Sequence, residues 1–513
     1  MQRAEQTSQQ SRETGDDPDP SGTHLRALAH PLLRGLGSLG LVGTVLLLIG
    51  LVVVIVLLSV DRIAALVAGA VLLAVLVPLS LRVDGRSALQ RLTARTAWWA
   101  GRSRRAHLYR SGIASPVAGG HHRLPGLAAQ TRVYACVDAY EQPFAMVFLP
   151  STGHCSVTLR AGADGAALVD ADQVDTWVAG WGQFLAALGH EPGLAACAVT
   201  VETAPDPGVR LEQAVAGNRS PTAPALSRQV MDQIVATYPA GSAVISTRIQ
   251  LTWRMTTPTG RRTPADMAVE LGARLPGLTG MLATTGAGAV SAMTAGELAE
   301  TVRVAYDPAA FAAIERARAE HGHAGIDWAD AGPVAAQEQW DSYHHDSGTT
   351  TTWTMAEAPR GTVTSRVLLA LLRPHRDVDR KRVTLIYRPH DAGSAARIVE
   401  RDVRNARFKA SQRAAGPLAR DDLAYRAAMQ TAAEEARGAG LSRVSMLVSA
   451  TVTDPARAHQ ARTVVEASLA ASSRLRLRRA YGFQASAFAA TLPVGVVLPL
   501  HVRIPATLRE AAA

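Results

Sequence analysis

The chain has 513 residues, 53 Lys+Arg against 43 Asp+Glu, a formal net charge of +10 and 48% hydrophobic residues. That composition excludes a disordered or collagen-like chain and leaves room for two to three folding units. Aromatic residues make up only 5%, which argues against a carbohydrate- or base-stacking surface, and three widely spaced cysteines (Cys136, Cys155, Cys197) exclude a dense disulfide framework.

Residues 1–33 are rich in Gln, Ser, Asp and Pro with little apolar periodicity, the pattern of a disordered cytoplasmic tail. From Gly35 to Val60 no charge occurs, Asp61-Arg62 interrupts, and Ile63 to Leu81 is again uncharged. At ~1.5 Å per residue each run could cross a ~30 Å hydrocarbon layer, so residues 34–82 are expected to form a two-helix transmembrane hairpin. The stretch 82–110 holds eight Arg and one Asp. By the positive-inside rule both termini are expected in the cytoplasm, at an inner membrane, with Arg-rich residues 83–123 as a juxtamembrane linker that grips anionic lipid.

Two cytoplasmic α+β domains are expected beyond it, 124–360 with a helical insert and 361–513. In the first, Arg132–Asp138, Phe144–Leu149 and Cys155–Leu159 read as a meander. Val174, Trp177, Val178, Trp181, Phe184, Leu185 and Leu188 recur at helical spacing behind Asp170, Asp172 and Asp175, which suits a core-facing helix. Ala196–Glu202, Ala225–Tyr238 and Ala243–Met255 read as a βαβ unit. Pro264–Arg318 reads as helical, broken at Thr284-Thr285-Gly286-Ala287-Gly288, a G-x-G pair without the strand and third glycine of a dinucleotide fingerprint. In the second domain Arg382–Tyr387, Arg443–Thr451 and Leu475–Ala480 read as strands. Helices are expected at Ala392–Arg437, interrupted near Gly416-Pro417, and at Pro455–Ala471, where Asp454 is a natural N-cap. The expected fold class is α+β: a transmembrane hairpin followed by two βαβ-containing, ferredoxin-like units.

Lysine occurs only at 381 and 409, and neither follows a glycine. A P-loop NTPase is therefore excluded, because its ammonium must reach the β- and γ-phosphates from a Gly-Lys-Ser/Thr motif. His121-His122, His321-Gly322-His323 and His344-His345-Asp346 have no C-x-x-C or H-E-x-x-H context and read as solvated loop residues. There is no G-x-S-x-G elbow. Cys155 beside His154 reads as a buried structural thiol, and Asp421-Asp422 and Glu434-Glu435 as solvated helix faces. No catalytic, cofactor-binding or metal residue is assigned, and the chain is expected not to be an enzyme. His375-Arg376, Arg380-Lys381-Arg382, Arg476 and Arg478-Arg479 form basic patches that leave direct nucleic-acid contact open.

Tyr481-Gly482-Phe483-Gln484-Ala485-Ser486-Ala487-Phe488-Ala489-Ala490-Thr491-Leu492-Pro493, arriving after Thr451-Val452-Thr453-Asp454, resembles the region before the motor in conjugation ATPases of type IV secretion systems. The motor itself is missing. Leu124-Pro125-Gly126-Leu127, Trp177-Val178-Ala179-Gly180-Trp181-Gly182 and Tyr238-Pro239-Ala240-Gly241-Ser242 further resemble a membrane protein family of actinobacterial integrative and conjugative elements, from about Arg34 to Arg509. The resemblance implies a non-catalytic inner-membrane structural component of a conjugal DNA-transfer apparatus, docking a separate ATPase to the channel. Its implied partners are that ATPase, channel subunits and further copies of itself. A type VII secretion component with a cytoplasmic domain is the alternative.

Overall fold

The structure, a computed structural model, describes residues 40–502 except 81, 84–85, 114, 116–117, 164, 166–168, 239–241, 258–259, 360–365 and 412–418. The expected tail 1–33 and the interruption at Gly416-Pro417 lie outside the described residues.

Helices α1 (Gly40–Val60) and α2 (Arg62–Ser80) form where the two spans were expected. Asp61 Oδ1 accepts from the Ile63 backbone N–H at 2.9 Å and starts the second helix. Gly50 faces Leu72 so closely that a Cβ would collide with it. Among the described residues, however, no helix is long and apolar enough to cross a membrane. The transmembrane hairpin, and with it the inner-membrane placement with both termini cytoplasmic, is therefore corrected to a packed helical hairpin. Next, α3 (Ala88–Ser103) leads to β1 (Leu108–Arg110).

The body is built on one antiparallel sheet of 13 strands, laid out twice in the same order. In the first set β2 (Arg132–Val137), β3 (Pro143–Leu149) and β4 (His154–Gly162) form a meander. Helix α4 (Ala171–Leu188) crosses to β5 (Leu194–Pro205), and α5 (Val209–Gly217) and α6 (Ala225–Thr237) lead to β6 (Ala243–Arg254). β6 inserts between β4 and β5. Then α7 (Pro264–Leu282) leads to β7 (Ala289–Ala292), which pairs with the end of β4, and α8 (Ala295–Tyr306) and α9 (Phe311–His321) follow.

The second set repeats this with β8 (Ala335–Glu338), β9 (Tyr343–His345) and β10 (Gly348–Glu357). Helix α10 (Leu369–Leu372) precedes β11 (Arg380–Pro389), and α11 (Ala392–Ser411) and α12 (Ala419–Ala436) precede β12 (Ser442–Val452). Helix α13 (Ala458–Thr463) continues through a π-helical turn, Val464–Leu469, into α14 (Ala470–Ser472). β13 (Arg476–Arg479) then pairs with β10, and α15 (Gln484–Ala489) closes the set. Sheet order is β1-β8-β9-β10-β12-β11-β5-β6-β4-β3-β2, with β7 on β4 and β13 on β10.

Within the first set the order β7-β4-β6-β5 makes β4-α4-β5 a split βαβ, and β13-β10-β12-β11 does the same in the second. The seam is β5 against β11, where Thr200 lies opposite Thr384 and their hydroxyls are 2.9 Å apart. Two expectations are corrected here. The body is one continuous sheet instead of two separate units. And the strands read as a βαβ pair, β5 and β6, are antiparallel neighbours joined by a helical insert, because β6 fills the slot that the α4 crossover leaves open.

Strand alternation sorts side chains between two covered faces. In β3, Ala145, Val147 and Leu149 enter a central core with Leu298, Val302 and Tyr306 of α8 and Phe488 of α15. Phe144, Met146 and Phe148 enter the opposite core, under Phe184 and Leu188 of α4 and Leu271 and Leu275 of α7. Trp353, Val448, Val465 and Leu469 form the equivalent outer core of the second set. The central core is thus shared by both sets. Capping boxes Thr263/Asp266 and Thr294/Glu297 fix the starts of α7 and α8.

Candidate functional site: a buried arginine cluster at the seam

The inner faces of β5, β6 and β11 carry polar side chains where a core would ordinarily be apolar. Register places Glu202 opposite both Ser246 and Arg382, and Thr200 opposite Arg248. Glu202 Oε1 accepts from Arg380 Nη1 at 2.8 Å and Arg382 Nη1 at 3.3 Å, while Oε2 accepts from Arg248 Nη2. Burial alone would raise the Glu202 pKa, but the three guanidiniums outweigh it and hold the carboxyl well below the usual carboxylate range. Burial pushes Arg382 down to about 10 against the pull of Glu202, so it stays charged at neutral pH. Arg382 also sits over the Phe488 ring and Arg380 over the Phe311 ring, each 4.8 Å from the centroid.

A cavity of about 160 Å³ opens beside this cluster, walled by Arg248 and Arg380 of the sheet, Glu297 and Glu300 of α8, and Glu315 and Arg318 of α9. The side of β6 that faces it carries Ser246 and Arg248, and α8 and α9 cover it.

The basic triplet Arg380-Lys381-Arg382 is therefore not a surface patch: all three are buried. Lys381 Nζ donates to the Arg373 carbonyl at 2.5 Å, and burial lowers its pKa to about 8. Of the other basic residues, His375 lies 3.6 Å from Asp377, Arg476 3.4 Å from Glu357, and Arg479 contacts Glu466 at 2.6 Å and Asp341 at 3.1 Å.

The histidine pairs do not converge. His121 Nδ1 lies 3.2 Å from Asp330, and His122 Nδ1 2.9 Å from the Ser111 hydroxyl. His345 was read as a solvated loop residue but is buried on β9, between the Tyr306 carbonyl at 2.6 Å and the Thr350 hydroxyl at 2.7 Å. Burial pushes it down to about 3, so it is neutral. His344 projects to the other face and meets the Thr349 hydroxyl at 3.0 Å. Cys155 and Cys197 are buried and pushed up to about 12, so neither is a thiolate at neutral pH. Among the described residues no group of three or more His, Cys, Asp or Glu could hold a metal ion. The Thr284–Gly288 segment is a turn, with Gly286 at φ 72° pressed against the Trp177 ring, and it leads into β7. In α3, Trp98 packs edge-on against Trp340, which stacks on Tyr481, while Trp99 is exposed.

Glu202 and Arg248 had no sequence signal as a pair, since the residues of the cluster come from strands far apart in the chain. Residues 34–90 match a family described as a domain of unknown function (DUF8461), a match confined to the helical hairpin and the start of α3. No curated protein matches the chain.

Proposed function

We propose that the chain is a non-catalytic structural component of a conjugal, type IV-like DNA-transfer apparatus that docks a separate ATPase. The observation that supports this reading most is the placement of the segment 481–493, which resembles the region before the motor of conjugation ATPases. It follows β13, forms α15 and seats Phe488 in the core shared by both sets. The segment is thus integral to the fold, as expected of a body that shares its architecture with an ATPase's amino-terminal region. Exposed apolar side chains on α6 (Leu226, Val230, Ile234) and on α11 and α12 (Phe408, Leu423, Met429) supply surface for docking.

The test is a pull-down of the tagged full-length chain from donor cells, paired with deletion of its gene. A conjugation ATPase should be recovered, and donor DNA transfer should fall at least tenfold. Intact transfer after deletion sinks the proposal, and recovery of type VII secretion subunits replaces it.

A further inference from the structure

The charges around the seam cavity do not balance. Arg160 contacts Glu297 at 2.5 Å, Arg318 contacts both Glu300 and Glu315, and Arg210 lies 3.7 Å from Glu315. Three arginines thus match three glutamates. The floor holds Arg248, Arg380 and Arg382 against Glu202 alone, an excess of two positive charges.

That excess is out of water. The side chains of Arg248, Arg380 and Arg382 are 10%, 8% and 1% exposed. Arg248 Nε and Arg382 Nη2 are buried with no hydrogen-bond partner among the described residues. Both Glu202 oxygens are already taken. Buried cations without a counter-charge are strongly unfavourable, and an unmade bond to a buried guanidinium adds to the cost. The cavity of about 160 Å³ lies against two of these arginines, and it is several times the ~30 Å³ that one water occupies in the liquid. Arginine forks suit tetrahedral oxyanions, which accept several N–H bonds at once.

We propose that this cavity binds a small, multiply charged oxyanion of the phosphate class, seated against Arg248 and Arg380. The bound anion offsets the two surplus charges and ties the first set of strands, through Arg248, to the second, through Arg380. Inorganic phosphate and a phosphoryl group carried on a small ligand share this chemistry.

The experiment is calorimetric titration of the purified full-length chain, in phosphate-free buffer, with inorganic phosphate, with glycerol phosphate and with chloride at matched ionic strength. One saturable phosphate site per chain is expected, with chloride giving none. Binding of inorganic phosphate alone identifies a free ion; binding of both phosphate compounds identifies a phosphoryl group on a carrier. Ala204→Leu fills the cavity from β5 without altering any charge, and Arg380→Gln removes one of the two facing guanidiniums. Each should weaken phosphate binding at least tenfold while the far-UV circular dichroism of the chain is kept. If Arg380→Gln does not fold, Ala204→Leu decides. No saturable phosphate binding by the native chain, equal binding of chloride, or unchanged binding by Ala204→Leu overturns the proposal.

Discussion

Glu202 accepts from Arg248, Arg380 and Arg382 at the seam, and Glu202→Gln would leave those guanidiniums without an anion among the described residues. Removing one partner of a buried ionic group costs about 3–5 kcal/mol, so urea denaturation of Glu202→Gln should show a loss of that size. A loss below about 1 kcal/mol would mean that the cluster is not held together by this carboxylate. Histidines set a pH dependence of definite sign. Burial holds His345 down to about 3 and His154 to about 4, against 6.5 for an ordinary histidine. As pH falls below about 6.5 the unfolded chain takes up protons that the folded chain refuses, so stability drops, until about pH 4 for His154 and about pH 3 for His345. His154→Leu should flatten the decline in melting temperature between pH 6.5 and 4; an unchanged decline would remove His154 from this account.

Helices differ in how much of their surface the sheet covers. In α7 the Thr263 hydroxyl accepts from the Asp266 N–H while Asp266 accepts from the Thr263 N–H at 3.0 Å, and Leu271 and Leu275 are buried beneath it. Thr263→Ala should cost about 1 kcal/mol by thermal or chemical denaturation. Helix α6 is the opposite case, with no buried residue, and Leu226, Val230 and Ile234 lie along one exposed stripe. Ile234→Glu should therefore change stability by no more than about 0.5 kcal/mol. A large loss would show that the stripe is covered in the folded chain.

Both strand sets draw on one central core, and this governs how the molecule unfolds. The Phe488 ring lies 5.1 Å from Tyr306 of the first set, 5.4 Å from Tyr343 and 4.8 Å from His345 of the second. Phe488→Ala should cost about 3–5 kcal/mol. Trp253 and Trp353 are fully buried, one in each set, so single-tryptophan variants report the two sets separately. Their fluorescence transitions should coincide in urea, and Phe488→Ala should move both midpoints by the same amount. Two separated transitions would show that the sets are independent units.

Much of the local structure was legible in the chain. The meander 132–159, the α4 stripe from Val174 to Leu188 and the strands around 243–255, 382–387 and 443–451 all show their period, because alternation and 3.6-residue spacing are local consequences of which face is buried. Five other strands were not. β7 is Ala-Val-Ser-Ala, β1, β8 and β9 are too short to show a period, and β10 is rich in threonine, which gives no apolar alternation. The hairpin shows where a local signal stops: two uncharged runs predicted two helices, and two helices form, but membrane crossing did not follow from the run lengths. What only the tertiary structure decided is the meaning of the polar residues. Arg380-Lys381-Arg382 has the pattern of solvated surface, and Ser246 and Arg248 carry no local sign of burial. They became interior when β11 paired with β5 and α8 and α9 closed over the seam, a consequence of contacts between residues as far apart as Glu202 and Arg380. The sequence determined the elements with a clear period, since that depends on neighbours along the chain. Burial of a charge depends on what the rest of the chain lays over it.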